Sequence, residues 1–565
     1  MTQSQASGLM AKAQAKLDPL GWSAATASVL GTAMRRPIPT TVASARLIAG
    51  LAALPMATVG RTLSVPIKPP IAVDPKDRRF SDPAWDDNPY FFAVRQIYDL
   101  SCRYVDEVLQ AGHSDDLTDL KATLTAHLLT DALVPTNFLL TNPTALVTAF
   151  ETGGKSLSAG ARLAMADLSE RKGMPQKVDA SGFTLGENLA ATPGSVVFRN
   201  DLIELIQYTP QTDQVHAVPL LASPPWINKY YVMDLAPTRS LVEWAVQHGR
   251  TVFMISYRNP DASMQNVTMD DYLEQGILAA MEVVQQITHS ATVDVLGLCL
   301  GGAMAAMAAA HLAARNDDRL GSVTMLNTIL DYAEPGDLAA FVDPASLDRI
   351  DLRMRETGFL DAKDMALAFD LLRARDLIFR YIPERWLLGK GSTPFDILAW
   401  NGDTTRMPAA MHSGYLRVLY GQNLLASGQM ELAGERLDLG EVACDVYVVG
   451  AINDHIVPWT TSYCATQLLG GDVRYVLSSG GHIAGVVNPP SPASKSWLQV
   501  SAPGTPNPAD PLVWRAEATR QAGSWWEDWI AWSTARAGEL VTAPEKAGNR
   551  KYPPLGDAPG SYIRE

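Results

Sequence analysis

Cysteine is scarce in this chain, with four residues (Cys102, Cys299, Cys444, Cys464) among 565. None of them forms a CxxC pair, so neither a disulfide framework nor a thiolate zinc site is expected. Basic charge is in deficit. Forty-six Lys and Arg face 60 Asp and Glu, a formal net charge of −14, which argues against nucleic acid as a general partner. The opening residues, MTQSQASGLMAKAQAKLDPLGW, lack the charged and apolar regions of a secretory leader. The most apolar early stretch, Leu47–Gly60, contains a proline and reads as too short to span a bilayer. These shortages together point to a cytoplasmic protein in a reducing compartment, with no transmembrane segment, no metal site and no resident cofactor.

What is present is ample core material. Hydrophobic residues make up 47% and charged residues 19%, an ordinary globular balance. Residues 1–75 are Ala-rich with scattered proline and read as helical segments leading into an irregular linker. They form either a loosely packed extension or a surface that meets something apolar. From Asn88 the apolar residues recur at helical spacing through FFAVRQIYDLSCRYVDEVLQ and SDDLTDLKATLTAHLLTDAL. A helical N-terminal domain is therefore expected over 1–185, with a flexible start.

From about Val196 short apolar runs alternate with helical stretches. AVPLLAS, TVFMISY, TVDVLGL, SVTMLN, DVYVVG and RYVLSS read as buried strands, which with intervening helices predicts a doubly wound, mostly parallel sheet. The alternation lapses over about 331–439, where helical and aromatic sequence intervenes. That stretch is expected to be a cap over the carboxyl ends of the strands, within a catalytic domain spanning 186–565.

Gly297-Leu298-Cys299-Leu300-Gly301 follows one predicted strand and precedes a small-residue helix, the context of a nucleophile elbow. The bracketing glycines admit a strained turn, and the helix N-terminus aimed at Cys299 favours a thiolate. In this fold class the orienting acid and then the base follow the nucleophile in the chain. Of the histidines after Cys299, His311 falls within the elbow helix and His412 within the cap. His482 follows the strand RYVLSS and Asp454 follows DVYVVG. The expected constellation is Cys299 as nucleophile, His482 as base and acid, and Asp454 as orienting carboxylate, with His455 beside it in support. The oxyanion donors are expected to be the backbone N–H of Leu300 and that of Ile227 in the loop after AVPLLAS. Trp525, Trp529 and Trp532 sit at helical spacing and read as core.

A cysteine at this station says something about the reaction. A serine acyl-enzyme is an oxygen ester, whereas an acyl-cysteine is a thioester that keeps its acyl group activated. Attack by a hydroxyl on that thioester runs downhill to an ester, so Cys299 favours transfer from a thioester donor to an alcohol. A cysteine-nucleophile ester or thioester hydrolase is the alternative, and a scaffold protein with a degenerate site is a third reading.

Several segments together resemble the polyhydroxyalkanoate synthases, which are α/β-hydrolase-fold polyester polymerases. GLCLGG, NDHIVPW, GGHIAGVVNPP, DRRFSDPAW, PTNFLLTNP, PPWINKYYVMDLAP, WNGDTTRMP and the closing GNRKYPPLGDAPGSYI all match motifs of that family, from residue 77 onward. The resemblance implies polymerisation of (R)-3-hydroxyacyl-CoA through an acyl-Cys299, with release of CoA. It also implies an alternative role for Asp454, activating the attacking hydroxyl. Further implications are a homodimer and residence on polyester granules beside granule-associated proteins. Leu300, where medium-chain members usually carry Ser, is more like the short-chain class that needs no second subunit, pointing to 3-hydroxybutyryl-CoA. Two departures stand out: Arg375 replaces a common Asn, and Tyr257 a common Trp.

Overall fold

The computed structural model describes residues 18, 20–500 and 506–565; the expected flexible start lies largely outside them. The chain divides into two compact units. One takes in the described residues up to Asp179 together with Leu367–Pro394, and the other holds Ala180–Ala366 and Phe395–Glu565.

The first unit is helical. Its helices are α1 (Trp22–Arg35), α2 (Pro37–Thr62), α3 (Pro89–Ala111), α4 (Asp116–Ala132), α5 (Pro143–Glu151) and α6 (Lys155–Glu170). Asn88 caps α3 by accepting from the Tyr90 N–H, Asp115 caps α4 from Thr118, and Asn142 caps α5 from Ala145. Val29, Leu109, Ala122 and Ala126 form one core cluster, and Leu54, Ala57 and Phe92 another. Gly50 lets α2 approach α3, since a Cβ there would stand 2.5 Å from Leu100 Cδ2.

Helix α2 corrects one expectation. The apolar stretch does not stop at its proline: the helix runs 26 residues through Pro55. An interior proline removes one helical hydrogen bond, and the inward row Ala43, Gly50, Leu54, Ala57 and Gly60, buried along the whole length, holds the helix together across that gap. By length and composition α2 could cross a bilayer. Its outer face exposes Ile38, Val42, Ile48, Met56 and Val59.

The stretch expected as a single cap is divided between the units, because 367–394 packs within the helical one. The physical reason is a buried charge. Asp167, fully enclosed, accepts from Arg385 Nε at 2.6 Å, from Arg385 Nη2 at 3.1 Å and from Trp386 Nε1 at 2.9 Å. An enclosed carboxylate has to be paired, and its partners lie more than 200 residues further along the chain. Arg375 is explained in the same way. Its Nε donates to Asp131 Oδ1 at 3.0 Å, and Arg79 Nη1 donates to the same atom at 2.8 Å.

The second unit is built on one sheet. Its strands are β1 (Gly194–Arg199), β2 (Ile203–Tyr208), β3 (Leu220–Ser223), β4 (Val252–Tyr257), β5 (Val293–Leu298), β6 (Leu320–Leu326), β7 (Asp445–Ala451), β8 (Val473–Ser478), β9 (Trp497–Gln499), β10 (Thr519–Gln521) and β11 (Gly556–Asp557). They lie in the order β10-β9-β8-β7-β6-β5-β3-β4-β2-β1-β11. The block from β8 to β4 is parallel throughout, and the flanking pairs are antiparallel. This is the expected doubly wound, mostly parallel sheet of the α/β-hydrolase fold. The parallel strands are the six apolar runs read from the sequence. Helix α7 (Leu300–Ala314) lies against β5 and β6, with every residue from Leu300 to Leu312 buried. Its small side chains allow that close packing.

The antiparallel flank was not read in advance. Strand β2, IELIQY, is buried at all six positions, including Glu204 and Gln207. Glu204 is sustained by Arg199 Nε at 2.8 Å and by the backbone N–H groups of Ser561 and Tyr562. Gln207 Oε1 accepts from the Gly548 N–H. Those partners arrive from the far end of the chain.

Candidate active site

Strand β5 delivers Cys299 to the carboxyl edge of the sheet at φ 53°, ψ −118°. This left-handed conformation is costly for a residue with a side chain. It is held on both sides: the Cys299 N–H donates to Leu326 O at 2.8 Å, and its carbonyl accepts from Gly302 and Ala303. The two glycines of the motif are sterically required. A Cβ on Gly297 would come within 2.5 Å of Gly301 O, and one on Gly301 would collide with the carbonyl of Ser223. Cys299 stands at the N-terminus of α7, where the first N–H groups, that of Leu300 included, have no intrahelical acceptor.

His482 and Asp454 come from the loops after β8 and β7. His482 Nδ1 lies 2.6 Å from Asp454 Oδ2, and the other carboxylate oxygen accepts from Ile456 N at 2.8 Å and Val457 N at 2.9 Å. The Asp454 side chain is fully enclosed and that of His482 nearly so. Burial alone would push the imidazole down. The Asp454 charge and hydrogen bond, helped by the neighbouring Cys299, outweigh burial and hold His482 up at about 10. The imidazole thus has the Asp454 carboxylate hydrogen-bonded on one side and Cys299 near enough on the other to favour its protonated form.

Sequence reading missed two supports for this arrangement. Asn327, fully buried at the end of β6, donates from Nδ2 to the carbonyl of His482, and its own N–H reaches Val449 O at 2.7 Å. The one available signal was a polar residue ending an apolar strand. The tryptophan helix α8 (Trp525–Thr534) is core, as expected: Trp525 and Trp529 are fully buried and Trp532 is half-buried. It also braces the loop behind His482, since Trp525 Nε1 donates to Gly485 O at 2.7 Å and Trp526 Nε1 to Val486 O at 2.9 Å.

Aromatic side chains wall the thiol. The Tyr332 and Tyr420 rings meet edge-on at 4.6 Å, and Tyr415 contacts both Trp226 (5.7 Å) and His412 (5.4 Å). Burial raises the hydroxyls of Tyr332, Tyr415 and Tyr420, and a negative charge on Cys299 raises each further. Burial pushes His412 down to about 4, so it is neutral at physiological pH, and His311 is buried in α7. Ile227 lies half-buried in the turn after β3, the strand paired with β5. Among the described residues no cluster of His, Cys, Asp or Glu could hold a metal ion.

Residues 76–245 match the family model described as poly-beta-hydroxybutyrate polymerase N-terminus, and residues 228–489 match the alpha/beta hydrolase fold. The poly(3-hydroxyalkanoate) polymerase subunit PhaC of Cupriavidus necator is 42% identical over 86% of this chain and 83% of that protein. The poly(3-hydroxyalkanoate) polymerase of Methylorubrum extorquens is 40% identical over 95% and 88% respectively. The chain belongs to the poly(3-hydroxyalkanoate) polymerase family. Its members are acyltransferases, and both oleovorans polymerases of Ectopseudomonas, 1 and 2, are similar at 38% and 39% identity. Among solved structures, the enol-lactonase of Burkholderia xenovorans is 14% identical with a TM-score of 0.29, over 50% of this chain and 91% of that one.

Proposed function

We propose that this chain polymerises (R)-3-hydroxyacyl-CoA, with short-chain units such as 3-hydroxybutyryl-CoA as substrate, through a covalent acyl-Cys299. The observation that carries the reading is the buried His482–Asp454 pair beside Cys299 on its strained elbow, in a member of a polymerase family. Cys299 gives its proton to His482, which holds it as the imidazolium described above, and the thiolate so formed attacks the thioester carbonyl. The developing oxyanion is met by the N–H of Leu300 and that of Ile227. The carbon–sulfur bond to CoA breaks, and CoA leaves with the proton from His482. The 3-hydroxyl of the next unit or of the chain end then attacks the acyl-Cys299. Its proton passes to His482, or to Asp454 acting directly, and the ester forms as the Cys299 thiolate departs. Atoms and electrons balance without a cofactor.

The choice of sulfur supports transfer over hydrolysis. Each turn exchanges one thioester for another, then a thioester for a lower-energy ester. The aromatic rings around the half-buried Cys299 also disfavour water as the acceptor. The exposed apolar face of α2 supports residence at a polyester granule surface with its associated proteins, and a homodimer is part of the same reading. Incubation with (R)-3-hydroxybutyryl-CoA tests the proposal. CoA release with insoluble polyester is the expected result; CoA release with soluble 3-hydroxybutyrate would assign a cysteine hydrolase instead.

A further inference from the structure

Near the elbow three buried donors have no hydrogen-bond partner within the protein: Ser223 Oγ, Trp226 Nε1 and Tyr257 OH. They cluster at one place in the fold. Ser223 ends β3 and pairs in register with Gly297, two residues before the nucleophile. Tyr257 ends the neighbouring strand β4, and Ser223 is close enough to act on its hydroxyl. Trp226 follows three residues after Ser223, and the Tyr272 ring bridges it to Tyr257, at 6.0 Å from one and 5.1 Å from the other. On its far side Trp226 meets Tyr415, the ring that senses charge on Cys299.

A buried donor without an acceptor destabilises a fold, and native proteins leave few of them. Three beside a nucleophile mark a place where binding takes precedence over stability. All three donors are neutral and stand among aromatic rings. That suits a neutral acceptor oxygen and not the pyrophosphate of CoA, which calls for Arg or Lys. An indole N–H can only donate, so the complementary group is a carbonyl. A growing polyester presents one ester carbonyl per unit.

We infer that Ser223, Trp226 and Tyr257 form a donor subsite that receives an ester carbonyl of the acyl chain carried on Cys299. This inference rests on the polymerase reading. The test is Tyr257→Phe, which removes one hydroxyl at nearly constant volume, with Trp226→Phe as a second variant. Rates of CoA release from (R)-3-hydroxybutyryl-CoA are measured in the first turnover and at steady state, beside the melting temperature. For Tyr257→Phe the steady-state kcat/KM falls about tenfold, the worth of one hydrogen bond. The first turnover falls less, because an ester carbonyl exists only once two units are joined. The melting temperature holds, because the Tyr257 hydroxyl makes no full hydrogen bond within the protein and only its weak interaction with Ser223 is lost. Unchanged kinetics in both variants, equal loss in both phases, or a lower melting temperature in Tyr257→Phe overturns the subsite. Failure of the parent protein to make polyester overturns the polymerase reading itself, and is distinguished by being seen before any substitution.

Discussion

Replacing Asp454 by Asn isolates the electrostatic part of the site. The variant keeps an oxygen able to accept from the Ile456 and Val457 N–H groups, so the loop retains its anchors. What it loses is the charge 2.6 Å from His482 Nδ1. Holding the imidazole at about 10 against an ordinary value near 6.5 corresponds to roughly 5 kcal/mol of preference for the imidazolium. Asp454 supplies the larger part of that preference and Cys299 the rest. The ceiling on the loss of kcat/KM is therefore about 3,000-fold, and a loss of at least a hundredfold is expected. The pH profile gives a second reading. The raised value means that the parent keeps its imidazolium until the pH climbs through about 10. The stability this proton confers is complete below about 6.5 and lost as pH rises through about 10. In the variant the alkaline limb moves down toward neutrality, read as kcat/KM for CoA release against pH, because departing CoA takes its proton from His482. A loss of less than tenfold with an unmoved alkaline limb would refute the assignment of Asp454 as the group that charges His482.

Three further outcomes follow from the same geometry. Cys299→Ser keeps the elbow but would replace the proposed thioester intermediate by an oxygen ester, so polymer yield from (R)-3-hydroxybutyryl-CoA should fall at least a hundredfold, with any residual CoA release appearing as free acid by chromatography. Asn327→Ala removes the donor to the His482 carbonyl; kcat should drop about tenfold and stability by about 1–3 kcal/mol in urea denaturation, whereas unchanged kcat would mean the loop is positioned without it. Arg385→Ala leaves the Asp167 carboxylate enclosed without its main partner, costing roughly 3–5 kcal/mol, a loss that a calorimetric scan resolves and that Arg385→Lys restores only in part, since a single ammonium cannot reproduce the forked contact.

The parallel core was legible because its strands are continuous apolar runs separated by helical periods, a pattern that local residue order carries. The elbow was legible for a similar reason: Gly297, Cys299 and Gly301 lie within five positions, and the steric requirement acts over that span. The antiparallel flank was hidden because Glu204 and Gln207 interrupt β2, and the groups that make their burial tolerable come from residues 548–562. Helix α2 was read as a short apolar stretch because a proline normally ends a helix, and the α3 surface that carries it onward is not written in its own residues. The cap looked like one insertion because its composition is uniform; the partner that claims 367–394, Asp167, is distant in sequence.

The sequence by itself determined the chemical cast: an elbow cysteine, an acid and a histidine in chain order after strands, and the parallel sheet that presents them. Local periodicity and short spacing suffice for those. Only the tertiary structure decided that Asp454 is enclosed against His482, that Asn327 and two tryptophans hold the histidine loop, and that Ser223, Trp226 and Tyr257 are left as donors without partners. Each of these depends on which groups are excluded from water together, and burial is a property of the assembled fold, not of any segment within it.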